Sequence, residues 1–429
     1  MTAQKRKPDY KWIIFGCCFL LTFICLGFCS SNKGLYLTAM SEALGIKRSL
    51  LSINDSFRFV TSGIINLFFG SLVHRFGLRK MVAFGFSSLL AALLVYATAN
   101  NVYTLYLGGI LLGLGLAFAS TTMASSIMRR WFQKDIGKYT GIVFAANGIG
   151  GAIAAQIISP MINEEGNPFG YRKSYLVVAV IVLITGIVVV ALLRERPKDT
   201  QSNAVTVSKK KKRGDEWAGI DFQTAKHRPY FYLVVVCVLL TGFILQGIGG
   251  AYAAHMKDVG LSAGYIATVA SLFSLALTLS KILVGAMYDR FGLKTVMILC
   301  QASTVVAFLT LVFLDASVTG MVLGVVFGLL YALALPLETL IIPLIVNDLF
   351  GSASYDKILG IMAGTNYVGY ALGAPLVNLC YDVFGSYKPA LLLFSALMIP
   401  ISIVFQYAIR CANKTRRCGN NINKECHYV

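Results

Sequence analysis

Apolar residues run along this chain in long stretches separated by short segments that hold most of the charge. A membrane-spanning helix needs about 20 mainly apolar residues. Twelve runs meet that length: 12–36, 53–73, 80–99, 103–127, 139–161, 174–193, 230–256, 262–287, 293–313, 318–346, 354–383 and 387–410. They are called spans 1 to 12 below. The pattern predicts an all-α polytopic membrane protein with twelve transmembrane helices. Span 1 follows a basic start, as the apolar part of a signal peptide would. It is too long for one, lacks an A-x-A site and leads into further spans, so it reads as a transmembrane helix.

Composition supports this reading. The apolar set makes up 57% of the 429 residues, and charged residues make up 13%, against about 25% charged in soluble proteins. That balance excludes a cytosolic enzyme, a secreted disulfide scaffold and a disordered tail protein. A net charge of +19 would suggest nucleic acid in a soluble chain, but here the placement of the charge explains it. With the N-terminus inside, 29 of the 38 Lys and Arg fall on cytoplasmic segments and 6 on outer loops, counting the span ends that adjoin each. Lys33, Arg58 and Lys281 lie within spans. The positive-inside rule then predicts cytoplasmic N- and C-termini in the plasma (cell inner) membrane, and no nucleic-acid partner.

Seven of the ten cysteines lie in apolar runs, where Cys acts as a small apolar residue. Cys411, Cys418 and Cys426 lie in a basic tail, where Cys411 suits palmitoylation. Cys418 and Cys426-His427 lack zinc-finger spacing, so no metal site and no cofactor are expected.

The longest connection, 194–229, carries Lys209-Lys210-Lys211-Lys212-Arg213 and separates six spans from six. It could grip anionic lipid heads or act as a solvated topological anchor. The predicted organisation is a cytoplasmic N-terminus (1–11), a six-helix bundle (12–193), a basic cytoplasmic linker (194–229), a second bundle (230–410) and a cytoplasmic tail (411–429).

The halves repeat. Gly70-x-x-x-His74-Arg75-Phe76-Gly77-Leu78-Arg79-Lys80 between spans 2 and 3 answers Gly285-x-x-x-Asp289-Arg290-Phe291-Gly292-Leu293-Lys294 between spans 8 and 9. Gly34-x-Tyr36 answers Gly250-x-Tyr252. Gly141, Asn147 and Gly150 answer Gly360, Asn366 and Gly369, and Phe169-Gly170 answers Phe384-Gly385. Ordered matches at offsets of 215–219 residues mark a duplicated unit.

The G-x-x-x-D-R-x-G-x-[RK] loop, present twice in a twelve-span frame, resembles the signature of the major facilitator superfamily. That resemblance covers the whole chain. It implies two pseudo-symmetric six-helix bundles around a central cavity that opens alternately to each side, with the site near the midplane. Gly70, Arg75, Gly77, Gly285, Asp289, Arg290 and Gly292 would form the gating loops; His74 replaces the first acid. Trp131-Phe132-Gln133-Lys134, followed by Gly141 and Ala145, is similar to the entry to span 5 in the monocarboxylate transporter and oxalate:formate antiporter group. The substrate class implied is a small monocarboxylate or dicarboxylate.

Ionisable side chains inside spans are costly, about 2.5–3.5 kcal/mol each on insertion scales, and usually face a cavity or a partner. Lys281 in span 8 occupies what looks like the place of a substrate-binding Arg in related transporters. It could bind the anion or snorkel to the interface. The acid expected one turn earlier is Leu277 here, and Glu338 in span 10 could supply it, as the proton carrier or as half of a structural ion pair. Lys33, near the outer end of span 1, either receives the anion or snorkels. Asp55 and Arg58 are spaced for a pair at the outer end of span 2. Asn147 and Asn366, and Tyr36 and Tyr252, occupy repeat-related positions and serve as substrate ligands or as packing groups.

The reading is a secondary active transporter of small organic anions working by alternating access, with a proton or counter-anion as second partner. It functions as a monomer in the lipid bilayer, without catalytic residues. No G-x-x-x-x-G-K-[ST] loop is present to power a primary pump. The alternative is a carrier of a neutral solute or a drug efflux protein, in which Lys281 and Glu338 neutralise one another.

Overall fold

The computed structural model describes residues 10–31, 33–46, 48–132, 135–162, 167, 169–194 and 219–420. The basic run 209–213, Gln133-Lys134, the side chain of Lys33 and Cys426-His427 lie outside the described residues. The described residues form helices joined by short turns, without strands. Nine helices among them are long and apolar enough to cross a membrane, ten with the bent pair of span 2. One of the nine, Ala263–Val312, is 50 residues long and contains the non-helical residue Gly292, so it holds two passes, spans 8 and 9. Span 11 is a further helix of 30 residues, Tyr355–Phe384.

The two motif loops are built alike. Gly77 (φ 78°, ψ 156°) ends the helix Phe69–Phe76 and starts Leu78–Thr98. Gly292 (φ 76°, ψ 171°) divides spans 8 and 9. An L-residue with a side chain is strained at that φ, which explains why the signature holds glycine there.

Several spans that read as continuous in the sequence are broken. Span 1 is helical over Tyr10–Thr22, continues as a π-turn over Phe23–Phe28, and resumes as a helix over Lys33–Leu44. Span 2 consists of Arg48–Leu67 and Phe69–Phe76, bent by 62°. Span 4 consists of Val102–Phe118 and Thr121–Trp131. Span 10 consists of Val318–Ala334, a 3₁₀ turn over Leu335–Glu338, and Ile341–Phe350. Hydropathy records only that a stretch is apolar, so it passes over such breaks. Every backbone group freed in a membrane must find another partner, and those partners position the side chains described below.

Two compact units emerge: Met1–Asn54 with Val73–Asp215, and Asp55–Leu72 with Glu216–Val429. The middle of span 2 thus belongs with the C-terminal spans. In the first unit, span 5 packs on span 1 at glycine. A Cβ on Gly150 would lie 2.3 Å from the Phe23 carbonyl oxygen, and one on Gly27 would lie 2.7 Å from Gly150. In the second unit, span 11 packs on span 7 in the same way. A Cβ on Gly369 would lie 2.3 Å from the Leu239 carbonyl oxygen, and one on Gly373 2.6 Å from that of Phe243. Small residues that let backbones approach closely are the usual basis of helix association in lipid.

Candidate substrate and coupling site

The break in span 10 organises the polar groups of the second unit. Proline has no N–H, so Pro336 cannot bond back to the carbonyl of Ala332 four residues earlier. That carbonyl instead accepts a hydrogen bond from Ser280 Oγ on span 8, at 2.5 Å. Lys281 is the next residue and is only 5% exposed. Two residues beyond Pro336, Glu338 closes the 3₁₀ turn and is 9% exposed. Its backbone carbonyl accepts from Asn366 Nδ2 at 3.1 Å and from the Tyr370 hydroxyl at 3.3 Å, both on span 11. Neighbouring spans thereby satisfy the carbonyls that the break releases.

The same interactions set the charges. Lys281 and Glu338 lie close enough for their charges to act on one another. Glu338 Oε2 is buried without a hydrogen-bond partner. Opposite charges attract strongly in low dielectric, and an acceptor without a donor there is costly.

Tyrosine rings lie beside Glu338. Tyr331 stacks on Phe327 (5.2 Å) and Phe273 (5.4 Å), and its hydroxyl donates to the Leu245 carbonyl at 2.6 Å. Tyr252 is half-buried beside Phe327, at 5.5 Å. From span 2, Phe59 meets Tyr370 edge-on at 5.6 Å. Arg58, 5% exposed, pairs with Asp55 at 3.3 Å and lies 4.4 Å over the Phe59 ring.

Of the residues singled out in the sequence, Lys281, Glu338 and Asn366 thus come together at the span 10 break. The Asp55–Arg58 pair joins them through Phe59 and Tyr370. Tyr36 and Asn147 lie in the first unit. The Tyr36 hydroxyl hydrogen-bonds Ser174 Oγ at 2.7 Å, and its ring stacks on Tyr175 at 4.0 Å. Asn147 Oδ1 accepts from Ser31 Oγ at 2.8 Å. Repeat-related positions therefore have different partners in the two units. Sequence reasoning missed Ser280, Tyr331 and Tyr370; Pro336 was the available signal, because it announces a carbonyl in need of a donor.

The motif loops share another feature. Arg75 lies over Phe76 at 5.4 Å, and Arg290 over Phe291 at 5.2 Å. His74 is exposed, as is Asp289. Gly285 is buried, while a Cβ on Gly70 would lie 2.2 Å from Lys357 Cα at the start of span 11. Tyr288, within the second motif, donates to Asp348 Oδ1 at 2.5 Å and so ties span 8 to span 10. In the linker, Asp221 Oδ1 accepts from Ser354 Oγ at 2.8 Å, which holds the Asp221 carboxyl below the usual carboxylate range. Lys357 Nζ lies 4.0 Å over the neighbouring Phe222 ring.

Among the described residues no cluster of His, Cys, Asp and Glu could hold a metal ion. A duplicated set of apolar helices with buried charges facing across two spans defines a polytopic membrane transporter. Residues 18–251 and 234–421 match the model of the Major Facilitator Superfamily, and the chain belongs to that family. It is a transporter, not an enzyme. It is 27% identical over 338 residues to monocarboxylate transporter 13 of Rattus norvegicus, covering 77% of this chain and 73% of that one. Human monocarboxylate transporter 2 is 23% identical over 434 residues, covering 92% and 85%. The Bacillus subtilis MFS-type transporter YcxA is 23% identical over 299 residues, covering 69% of each chain. Among solved structures, the proton:xylose symporter XylE aligns at a TM-score of 0.73 with 12% identity, over 93% of this chain and 96% of that one. The chain has the major facilitator fold.

Proposed function

We propose that this transporter carries small organic anions, monocarboxylates or small dicarboxylates, by alternating access, in symport with a proton or in exchange for another anion. Lys281 receives the carboxylate and Glu338 carries the proton. The observation that supports this is the buried Lys281–Glu338 pair, in which Glu338 Oε2 has no hydrogen-bond partner. An anion arriving at Lys281 competes with Glu338 for the ammonium. The carboxylate left in low dielectric then favours its protonated form. Anion and proton cross together, and little net charge passes through the apolar region. The monocarboxylate transporters among the relatives support the substrate class.

Tyr252 and Asn147, both half-buried, are the further candidates for contact with substrate, with Lys33 at the start of Lys33–Leu44. Tyr36 and Asn366 act through their hydrogen bonds to Ser174 and to the Glu338 carbonyl. The six-span halves 12–193 and 230–410 work as two bundles of a functional monomer in the plasma membrane, with both termini and the basic linker in the cytoplasm. A cysteine placed at Ser208 then resists impermeant thiol reagents in intact cells; ready labelling there overturns the orientation.

Counterflow in proteoliposomes with labelled mono- and dicarboxylates tests the substrate reading. Lys281→Gln abolishes counterflow at normal expression. Lys281→Arg keeps part of it, because the charge persists while the donor geometry changes. Full activity in Lys281→Gln removes Lys281 from the site. Absence of counterflow with every carboxylate favours the neutral-solute or drug carrier.

A further inference from the structure

Tyr370 belongs to no sequence motif, yet it joins two parts of the second unit. Its hydroxyl donates to the Glu338 carbonyl at 3.3 Å. Its ring meets Phe59 of span 2 edge-on at 5.6 Å. Span 11 then crosses span 2 along a row of small residues. A Cβ on Gly63 would lie 3.3 Å from Tyr367 Cβ, one on Gly364 2.8 Å from the Gly63 carbonyl oxygen, and one on Gly360 2.4 Å from that of Asn66. Gly70 continues the row onto Lys357. Lys357, Gly360, Gly364, Tyr367 and Tyr370 lie on one helix, Tyr355–Phe384, whose internal proline, Pro375, comes after Tyr370. The stretch from Lys357 to Tyr370 has no such break and can move as one body.

We propose that Tyr370 is a positioning residue that links the proton state of Glu338 to the crossing of spans 2 and 11. The inference rests on Glu338 being the proton-carrying group. When Glu338 is charged, Lys281 draws it toward span 8. When it is neutral, that pull is gone and the 3₁₀ turn can relax. The Glu338 carbonyl moves with the turn. Tyr370 follows through its hydroxyl and passes the displacement to Phe59 and along span 11 to Gly364, Gly360 and Lys357. The titratable groups beside Tyr370 are Glu338 on span 10 and Tyr367 on span 11; Glu338 in turn faces Lys281 on span 8 and Tyr331 on span 10, and Tyr331 faces Tyr252 on span 7. Beyond Phe59 lie Arg58 and Asp55 on span 2.

Hydrogen-exchange mass spectrometry on the purified full chain tests this without requiring the substrate. Peptides covering 60–70 and 355–366 are followed between about pH 5.5 and about pH 8, corrected for intrinsic exchange. In the wild-type protein their protection changes by about threefold or more across that range, as local opening responds to the charge state. Tyr370→Phe flattens the profile in both peptides while the protein stays folded by size-exclusion chromatography. Phe59→Leu weakens it in 60–70, where the glycine contacts with span 11 persist, and leaves it in 355–366. A wild-type profile in Tyr370→Phe, or pH-independent exchange in the wild-type protein, overturns the proposal. Glu338→Gln should also be flat. If it keeps the wild-type profile, Glu338 is not the proton-carrying group, and that result separates failure of the underlying reading from failure of the link through Tyr370.

Discussion

Spans 4 and 10 break at equivalent places in the duplicated frame, but the two breaks contain different chemistry. In span 4 the helix stops at Phe118 and resumes at Thr121, across Ala119 and Ser120. The polar group buried there is Ser120 Oγ, which has no hydrogen-bond partner. In span 10 the helix stops at Ala334 and resumes at Ile341, across Pro336 and Glu338. The buried group there is a carboxylate, held through its backbone by Asn366 and Tyr370 and facing Lys281. Elsewhere in the first unit polar side chains pair with one another: Tyr36 with Ser174, and Ser31 with Asn147. Around the break in span 10, charges remain. The two breaks thus share a backbone plan, while the charge lies at the second of them.

If the plan is shared, equivalent scaffold changes should do equal harm. A valine at Gly150 or at Gly369 would collide with a backbone carbonyl on span 1 or span 7, and backbone cannot move aside as a flexible side chain can. Each substitution is expected to cost about 3 kcal/mol or more, toward the upper end of overpacking effects, and to remove the protein from the membrane fraction. Gly16→Ala, where nothing lies within 4 Å of the added Cβ, is the harmless control. Thermal unfolding followed by size-exclusion chromatography reads all three. A large loss in one glycine variant and none in the other would break the symmetry argument.

The polar groups of the first unit should matter less, and for stability more than for transport. Tyr36→Phe removes one buried hydrogen bond and leaves Ser174 Oγ without its partner. The expected cost is about 1 kcal/mol, with counterflow kept. Loss of counterflow at unchanged stability would return Tyr36 to the substrate site.

The sequence made much of this plan legible. The long apolar runs identify the spans, and the offset repeats identify the duplication, because both are properties of residue type along the chain. Gly77 and Gly292 could be placed because a turn between spans demands a conformation that glycine adopts freely. Lys281 and Glu338 stood out because charge is rare in a span. The broken spans were hidden, since Ala119-Ser120 and the π-turn over Phe23–Phe28 differ little in apolar character from intact helix. The equivalence of Tyr36 with Tyr252 was visible, but their differing partners were not. A hydrogen bond between Tyr36 and Ser174 spans 138 residues of sequence and leaves no local pattern. Pro336 was visible, and its consequence for the Ala332 carbonyl required knowing that Ser280 lies opposite.

The central claim is that the charged break in span 10 carries the coupling. The most direct measurement compares two activities of Glu338→Gln in proteoliposomes: accumulation of a labelled carboxylate under an imposed pH gradient, and exchange of that carboxylate for itself at equal pH. The glutamine mimics the protonated state, so accumulation should vanish while exchange continues. Normal accumulation under the gradient would contradict the claim, because a side chain that cannot bind and release the proton would then be coupling as well as the native one.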